Sequence, residues 1–140
     1  MVTFETQRQL HASPAAVFAA IQNPERLARW WGPAGFSNEI DEIDFAEGGR
    51  WVYTMIGPDG TRWANESVFR QIDRDRRVVI EHTATPHFTL SITLDAANGG
   101  TRVTWRQSFV DPAVAEALRP IVEPANEQNL DRLDAEVGRG

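Results

Sequence analysis

The sequence predicts a single α+β domain in which a curved antiparallel sheet packs around a long C-terminal helix. Between residues 40 and 109, apolar and polar side chains alternate, which is typical of strands with one buried face. Near the C-terminus, apolar residues recur instead at helical spacing. With 140 residues, the chain fits one domain, residues 1–140, with one hydrophobic core.

The N-terminal part predicts one strand followed by two short helices. Residues 3–12 begin with an alternating pattern of side chains, which indicates a strand with one solvent-exposed face. Ser13 can cap a helix whose first position suits Pro14. The Asn-Pro pair at 23–24 repeats this start signal, and the Gly-Pro pair at 32–33 ends the second helix.

Six further strands are predicted to follow as a meander, giving seven in all. The Gly-Pro-Asp-Gly segment at 57–60 and the Asn-Gly-Gly segment at 98–100 are typical of tight hairpin turns. The sheet should curl, because strands that pair in sequence accumulate twist. The predicted strands cover 40–45, 51–55, 63–72, 78–82, 88–94 and 103–109.

The C-terminal segment predicts a short helix, a break and then the main helix. Asp111 and Pro112 start the first helical stretch. Pro120 and Pro124 should interrupt it, because a proline inside a helix removes a hydrogen bond and clashes one turn back. The main helix is expected from about Pro124 to Val137.

A ligand cavity is expected between this helix and the concave face of the sheet, since a straight helix does not fill a curved surface. The inward side chains mix large aromatics with Asn, Gln and His, which is unusual for a filled core. The alternative is that the Trp side chains fill the space themselves. The predicted ligand-binding residues are Trp51, Tyr53, Met55, Trp63, Asn65, Phe69, His82, Phe88, Leu90, Trp105, Gln107, Asn126 and Leu130.

Composition argues against several classes of function. The net charge of −6 disfavours nucleic acids and anionic membrane surfaces as partners. The absence of Cys excludes disulfides and Cys-ligated zinc, and the three His residues lack the spacing of metal ligands, so neither a metal nor a cofactor is expected. No signal peptide or apolar span is visible, and the expected location is the cytoplasm.

His82 is the best candidate for acid–base catalysis, because a single group with a shifted pKa in an apolar site is sufficient. Asn65 and Glu66 could assist it, and Ser67 could meet it across neighbouring strands. No nucleophile motif supports this chemistry. The alternative is a polar residue that is simply hydrogen-bonded at the edge of the sheet.

Several segments, taken in this order, resemble one branch of the START-like (SRPBCC) superfamily, the homologues of the activator of the heat-shock-protein-90 ATPase. They include Ala-Ser-Pro-Ala-Ala-Val-Phe at 12–18 and Trp-Trp-Gly-Pro at 30–33. The resemblance covers nearly the whole chain. The other matching segments are 48–51, 57–60, 65–66, 69–72, 99–105 and 130–133.

The resemblance implies a helix-grip fold with a hydrophobic cavity. Relatives bind lipids, sterols, plant hormones or polyketides, and some are cyclases or hydrolases. The eukaryotic namesake stimulates a chaperone ATPase, and it does so through a longer chain with a further domain. A co-chaperone role is therefore less expected for this chain. We therefore expect binding of a small hydrophobic or aromatic molecule, with an enzyme and a co-chaperone as alternatives. An exposed edge strand could also form a homodimer.

Overall fold

The computed structural model describes residues 1–138, which form seven strands and three helices. Within this part of the chain, no helix has the length and apolarity needed to cross a bilayer. The elements are β1 (Val2–Leu10), α1 (Pro14–Gln22), α2 (Pro24–Trp30), β2 (Ser37–Ile43), β3 (Arg50–Ile56), β4 (Arg62–Asp73), β5 (Arg77–His82), β6 (Phe88–Ala97), β7 (Gly100–Phe109) and α3 (Pro112–Val137).

The seven strands form one antiparallel sheet in the order β1-β7-β6-β5-β4-β3-β2. This order confirms the predicted α+β class and the meander of six strands. The register shifts between Ile40 and Glu42 in β2, and between Phe69 and Gln71 in β4. Such bulges bend strands and increase their twist, which curves the sheet around α3.

Side-chain caps begin the two short helices where the sequence predicts them. Ser13 Oγ accepts a hydrogen bond from the backbone N–H of Ala16, 3.2 Å away. Asn23 Oδ1 accepts from the backbone N–H groups of Glu25 and Arg26. Both caps satisfy N–H groups that the first helical turn leaves free. The two helices contact both the sheet and α3.

Helix α3 runs without interruption from Pro112 to Val137, so the predicted break at Pro120 and Pro124 is wrong. The two prolines are four residues apart and therefore lie on one face of the helix, which is exposed. The carbonyls of Glu116 and Pro120 lose their intrahelical partners there, and solvent can hydrogen-bond them instead. Tertiary packing at both ends of α3 outweighs the free-energy cost of the hydrogen bonds that the two prolines remove.

The two halves of α3 pack against different hydrophobic clusters. The first half contributes Ala115 to a small cluster with Phe4 and Phe109. The second half contributes Leu130 and its apolar neighbours to the main core beneath α1 and α2. Between these anchors, the middle of α3 spans the concave face of the sheet.

A buried ion pair fixes the C-terminal end of α3 to α2. The carboxylate of Glu136 is only 3% exposed and lies 2.9 Å from Arg26 Nε and 3.0 Å from Arg29 Nη2. Hydrogen bonding to Arg29, together with that to Arg26, lowers the pKa of Glu136 to about 2. The carboxylate therefore stays charged down to strongly acidic pH.

Candidate functional site

A cavity of about 180 Å³ lies between the concave face of the sheet and the middle of α3. Strands β3 to β7 supply its walls, α3 covers it, and the loop after α2 forms its rim. None of its lining residues is Asp, Glu, Lys or Arg. The lining residues are Trp31, Gly32, Pro33, Tyr53, Met55, Asn65, His82, Pro86, Phe88, Leu90, Trp105, Gln107, Ala125, Asn126 and Asn129.

Strand alternation and register bring the sheet residues of the cavity together. Tyr53 pairs with Asn65 across β3 and β4, and Leu90 pairs with Gln107 across β6 and β7. Directly opposed residues of neighbouring strands point to the same face of a sheet. Residues distant in sequence therefore meet on one concave surface.

Aromatic rings form the inner wall of the cavity. Trp31 packs edge-on against Trp51, with 4.9 Å between the ring centroids. The centroid of the Trp31 ring also lies 6.0 Å from that of Trp105. Trp51 in turn stacks on Tyr53 at 4.1 Å. Rings from the loop after α2, from β3 and from β7 therefore contact one another and form a continuous apolar surface.

The loop at the cavity rim is attached to α3 through Arg132. Among residues 1–138, the Nη1 and Nη2 groups of this residue donate only to backbone carbonyls. Asn129 supports the same loop, since its Oδ1 accepts from the N–H of Gly32 and its Nδ2 donates to the carbonyl of Trp30. The carbonyls that accept from Arg132 belong to Arg29, Trp31, Gly32, Pro33 and Phe36.

His82 lies in the cavity wall with both ring nitrogens in hydrogen bonds. Its Nδ1 is 2.7 Å from the carbonyl of Pro86, which can only accept, so Nδ1 carries a proton. Its Nε2 is 2.7 Å from Oδ1 of Asn65, whose Nδ2 donates to the carbonyl of Trp63. Burial is the largest influence and lowers the pKa of His82, whereas hydrogen bonding to the backbone of Pro86 and Ala84 acts in the opposite direction.

The pairing of Ser67 with His82, which the sequence left open, is not formed. Ser67 is opposite His82 in the register of β4 and β5, but the imidazole nitrogens contact Pro86 and Asn65 instead. Burial raises the pKa of Tyr53 to about 12, so its phenol is neutral. Within residues 1–138, no three His, Cys, Asp or Glu side chains are grouped so that they could hold a metal ion.

Two buried polar atoms of the cavity wall have no hydrogen-bond partner within the described chain. They are Nε1 of Trp105, a residue that is 2% exposed, and Oε1 of Gln107, a residue that is 8% exposed. A buried polar group without a partner costs about 1–3 kcal/mol.

A shallower groove of about 500 Å³ continues the cavity outward, and we call it the outer groove. Two large apolar side chains are exposed in it, Trp63 at 56% and Ile121 at 65%. Seven residues line both spaces, so they form the passage between them. These are Pro33, Met55, Asn65, Pro86, Gln107, Ala125 and Asn126.

The structure places the thirteen predicted ligand-binding residues in three environments. Trp51, Phe69 and Leu130 lie in the core behind the cavity wall. Trp63 lies in the outer groove and not in the cavity. The other nine line the cavity: Tyr53, Met55, Asn65, His82, Phe88, Leu90, Trp105, Gln107 and Asn126.

Some cavity residues are absent from the sequence-based set. Trp31 lies on the wall because α2 ends at Trp30, and its indole turns toward the sheet while Trp30 donates to the carbonyl of Ala20. Pro86 comes from the loop before β6, and Ala125 and Asn129 come from α3. The helical spacing of 125, 126 and 129 signals a shared face, but these residues do not belong to the apolar stripe.

Comparison with known proteins identifies relatives over almost the whole chain. The profile of the family described as "Activator of Hsp90 ATPase homolog 1-like protein" matches residues 11–138. No curated protein sequence matches significantly.

Three solved structures illustrate the similarity in fold. Protein NE0264 from Nitrosomonas europaea has a TM-score of 0.89 at 20% identity, covering 99% of this chain and 95% of its own. A protein from Arthrobacter aurescens has a TM-score of 0.90 at 21% identity, covering 99% and 87%. The AHSA1-like protein from Aeromonas hydrophila has a TM-score of 0.76 at 18% identity, covering 99% and 93%.

Proposed function

The chain belongs to the family of Activator of Hsp90 ATPase homolog 1-like proteins, and from this premise we propose that it binds a small, mostly apolar, aromatic-containing molecule. The binding site is the cavity between the sheet and α3, with the outer groove as its entrance. The observation that carries the proposal is a cavity that is lined by aromatic side chains and has no Asp, Glu, Lys or Arg in its lining.

Desolvation supplies the driving force for this binding. A ligand that buries about 200 Å² of apolar surface gains about 5 kcal/mol, at about 25 cal/mol per Å². Loss of translational and rotational freedom offsets part of this gain. Ligands should therefore be sought at concentrations up to the millimolar range, where modest affinities are still detected.

The test is to obstruct the cavity without disturbing the core. Ala125 is half-buried on α3 and lines both the cavity and the outer groove. Ala125→Phe should fill the passage and weaken the binding of ring-sized probes such as phenol, 4-propylphenol and acetophenone at least tenfold. Binding is measured as quenching of Trp fluorescence, because Trp31 and Trp105 line the cavity.

Ala117→Phe is the matched control, since Ala117 lies on the same helix and is exposed outside the cavity. This variant should bind the probes as the unmodified protein does. Equal loss in both variants, or no stabilisation of the unmodified protein by any probe in a thermal-shift assay, would contradict the proposal.

A further inference from the structure

A chain of three hydrogen bonds runs through His82 and has a backbone carbonyl at both ends. Nδ1 of the imidazole lies 2.7 Å from the carbonyl oxygen of Pro86, and Nε2 lies 2.7 Å from Oδ1 of Asn65. Nδ2 of Asn65 donates in turn to the carbonyl of Trp63, 2.9 Å away. Because both end groups can only accept, the chain is complete only when each of its three links contains a hydrogen.

A neutral imidazole cannot complete this chain, because it carries a single N–H. With the proton on Nδ1, Nε2 faces Oδ1 of Asn65 as a second acceptor, and with the proton on Nε2, Nδ1 faces the carbonyl of Pro86 in the same way. Turning the Asn65 amide over does not help, because Oδ1 would then face the carbonyl of Trp63. The imidazolium, with two N–H groups, fills all three links.

The surroundings of His82 oppose the charge that these hydrogen bonds favour. The side chain is buried, and its ring stacks on Phe88 with 4.6 Å between the centroids. No Asp or Glu lines the cavity to balance an imidazolium. Solvent that enters through the passage can stabilise the charged ring, whereas an apolar ligand cannot. The two protonation states of His82 therefore differ in how well they tolerate such a ligand.

The ionisable groups on neighbouring elements do not supply a counter-charge. Glu81 precedes His82 on β5 and therefore points to the opposite face of the sheet. Tyr53 on β3 is neutral, because burial raises its pKa to about 12. The cavity residues of β6, β7 and α3 have no ionisable side chain. The charged groups nearest to the cavity are paired elsewhere: Glu81 with Arg70 and His87, Glu66 with Arg50, and Arg62 with Glu39.

We propose, building on the function above, that His82 makes ligand binding depend on pH: the cavity holds an apolar ligand while the imidazole is neutral and releases it when the imidazole is protonated. A ligand that disfavours protonation of His82 is itself disfavoured by protonation, because the coupling is reciprocal. Burial places the pKa of His82 below its ordinary value of 6.5. Affinity is therefore full above this value and declines as the pH falls through the lowered pKa.

Asn65 connects the protonation state of His82 with the entrance of the cavity. This residue lines both the cavity and the outer groove, so it belongs to the passage. In the protonated state, its Oδ1 accepts from Nε2 of His82 while its Nδ2 donates to Trp63. When the single proton of a neutral imidazole lies on Nδ1, the amide must turn to bring its Nδ2 to Nε2. Protonation therefore also changes a side chain in the passage.

The first test compares affinities across the acidic range. Binding of acetophenone, which does not titrate in this range, is measured by calorimetry between about pH 7.5 and 4.5. The dissociation constant should rise at least threefold, since each pH unit below the pKa of His82 lowers the affinity by up to tenfold. His82→Gln has an uncharged amide at every pH in this range, so its affinity should not depend on pH.

His87→Gln is the matched control. His87 lies in the loop before β6, its side chain is 47% exposed, and it lines neither the cavity nor the outer groove. This variant removes a titrating imidazole from the same region without changing the cavity wall. It should lose affinity for acetophenone at acidic pH as the unmodified protein does.

Asn65→Asp tests the same geometry in the opposite direction, and it does so whether or not His82→Gln folds. The substitution places a carboxylate where Oδ1 now lies 2.7 Å from Nε2, and an opposite charge at this distance raises the pKa of His82. The loss of affinity should move at least one unit toward neutral pH. Titration of the His82 ring by NMR, with and without acetophenone, measures the pKa directly, and the ligand should lower it.

Affinity that is independent of pH in the unmodified protein, or a pH dependence that persists in His82→Gln, would overturn the inference while the proposed function stands. An unchanged pH dependence in Asn65→Asp would also overturn it, because Nε2 would then not face residue 65. Failure of acetophenone to bind at any pH would contradict the proposed function, and the inference with it.

Discussion

At the scale of single residues, Glu136 is the group whose ionisation contributes most clearly to stability. Its pKa in the folded protein is about 2, against an ordinary value of 4.5. A lowered pKa stabilises the fold above the unfolded value, and this contribution is lost as the pH falls through 4.5 toward 2. The contribution at neutral pH is on the order of 3 kcal/mol.

We therefore predict that Glu136→Gln lowers the free energy of unfolding at pH 7 by on the order of 3 kcal/mol. The difference from the unmodified protein should shrink steadily below pH 4.5. Urea unfolding followed by circular dichroism at several pH values measures both effects. A pH-independent difference would show that packing, and not charge, explains the loss.

Glu116→Gln is the control for this prediction. Glu116 also pairs with an arginine, Arg119, but both side chains are exposed. Exposed ion pairs contribute little, because water and salt screen them. The unfolding midpoint of this variant should stay unchanged at pH 7 within experimental error.

Strand alternation predicts which face of the sheet a residue occupies, but not how deep along the strand it lies. Alternation alone predicts that Trp63, Asn65 and Phe69 share the concave face of β4. Phe69 is in the core, Asn65 is in the passage and Trp63 is exposed. This gradient depends on where α3 crosses the sheet, which no local pattern in the sequence encodes.

At the scale of elements, the prolines of α3 carry a local cost that the fold tolerates. Pro120→Ala restores a backbone N–H that can donate to the carbonyl of Glu116. We predict that the substitution raises the free energy of unfolding by about 1–2 kcal/mol, because a proline inside a helix is about 3 kcal/mol less favourable than alanine and part of this is offset in the unfolded chain.

Pro112→Ala is the matched variant for this comparison. Pro112 occupies the first position of α3, where a proline leaves no hydrogen bond unmade. Its replacement should leave stability unchanged or lower it slightly, in the same urea titration. Equal stabilisation by Pro120→Ala and Pro112→Ala would show that the gain comes from replacing any proline by alanine, and not from the position of Pro120 inside the helix.

Helix α3 also shows why sequence predicts its start better than its continuity. Asp111 and Pro112 predict the helix start from local hydrogen bonding alone, and Asp111 Oδ1 indeed accepts from the N–H of Ala113. Continuity through Pro120 and Pro124 depends on packing at both ends, through contacts with Phe4 and the main core. Those contacts are distant in sequence and leave no local signal.

At the scale of the whole molecule, the fold was predictable because strands, turns and caps agree with one another. The predicted seven-stranded sheet with its meander is confirmed. The cavity is a different case, because it results from two hydrophobic clusters that hold α3 at either end and leave its middle unsupported. Its volume and its passage could not be predicted from the sequence.

This arrangement predicts unequal protection along α3. Amides of residues 129–137, which include five buried side chains, should exchange with deuterium at least tenfold more slowly than those of residues 113–122. Mass spectrometry of peptides after timed exchange measures the difference. Uniform protection of the helix would indicate that its first half is anchored as strongly as its second.

The attachment of the rim loop by Arg132 affects the order in which parts of the molecule unfold at low pH. Within residues 1–138, its guanidinium is held by carbonyl oxygens, which do not titrate, whereas the neighbouring anchor at Glu136 depends on a carboxylate. Acidification should therefore loosen the last turn of α3 first. The entrance to the cavity should then retain its native shape at a pH where that turn has already frayed.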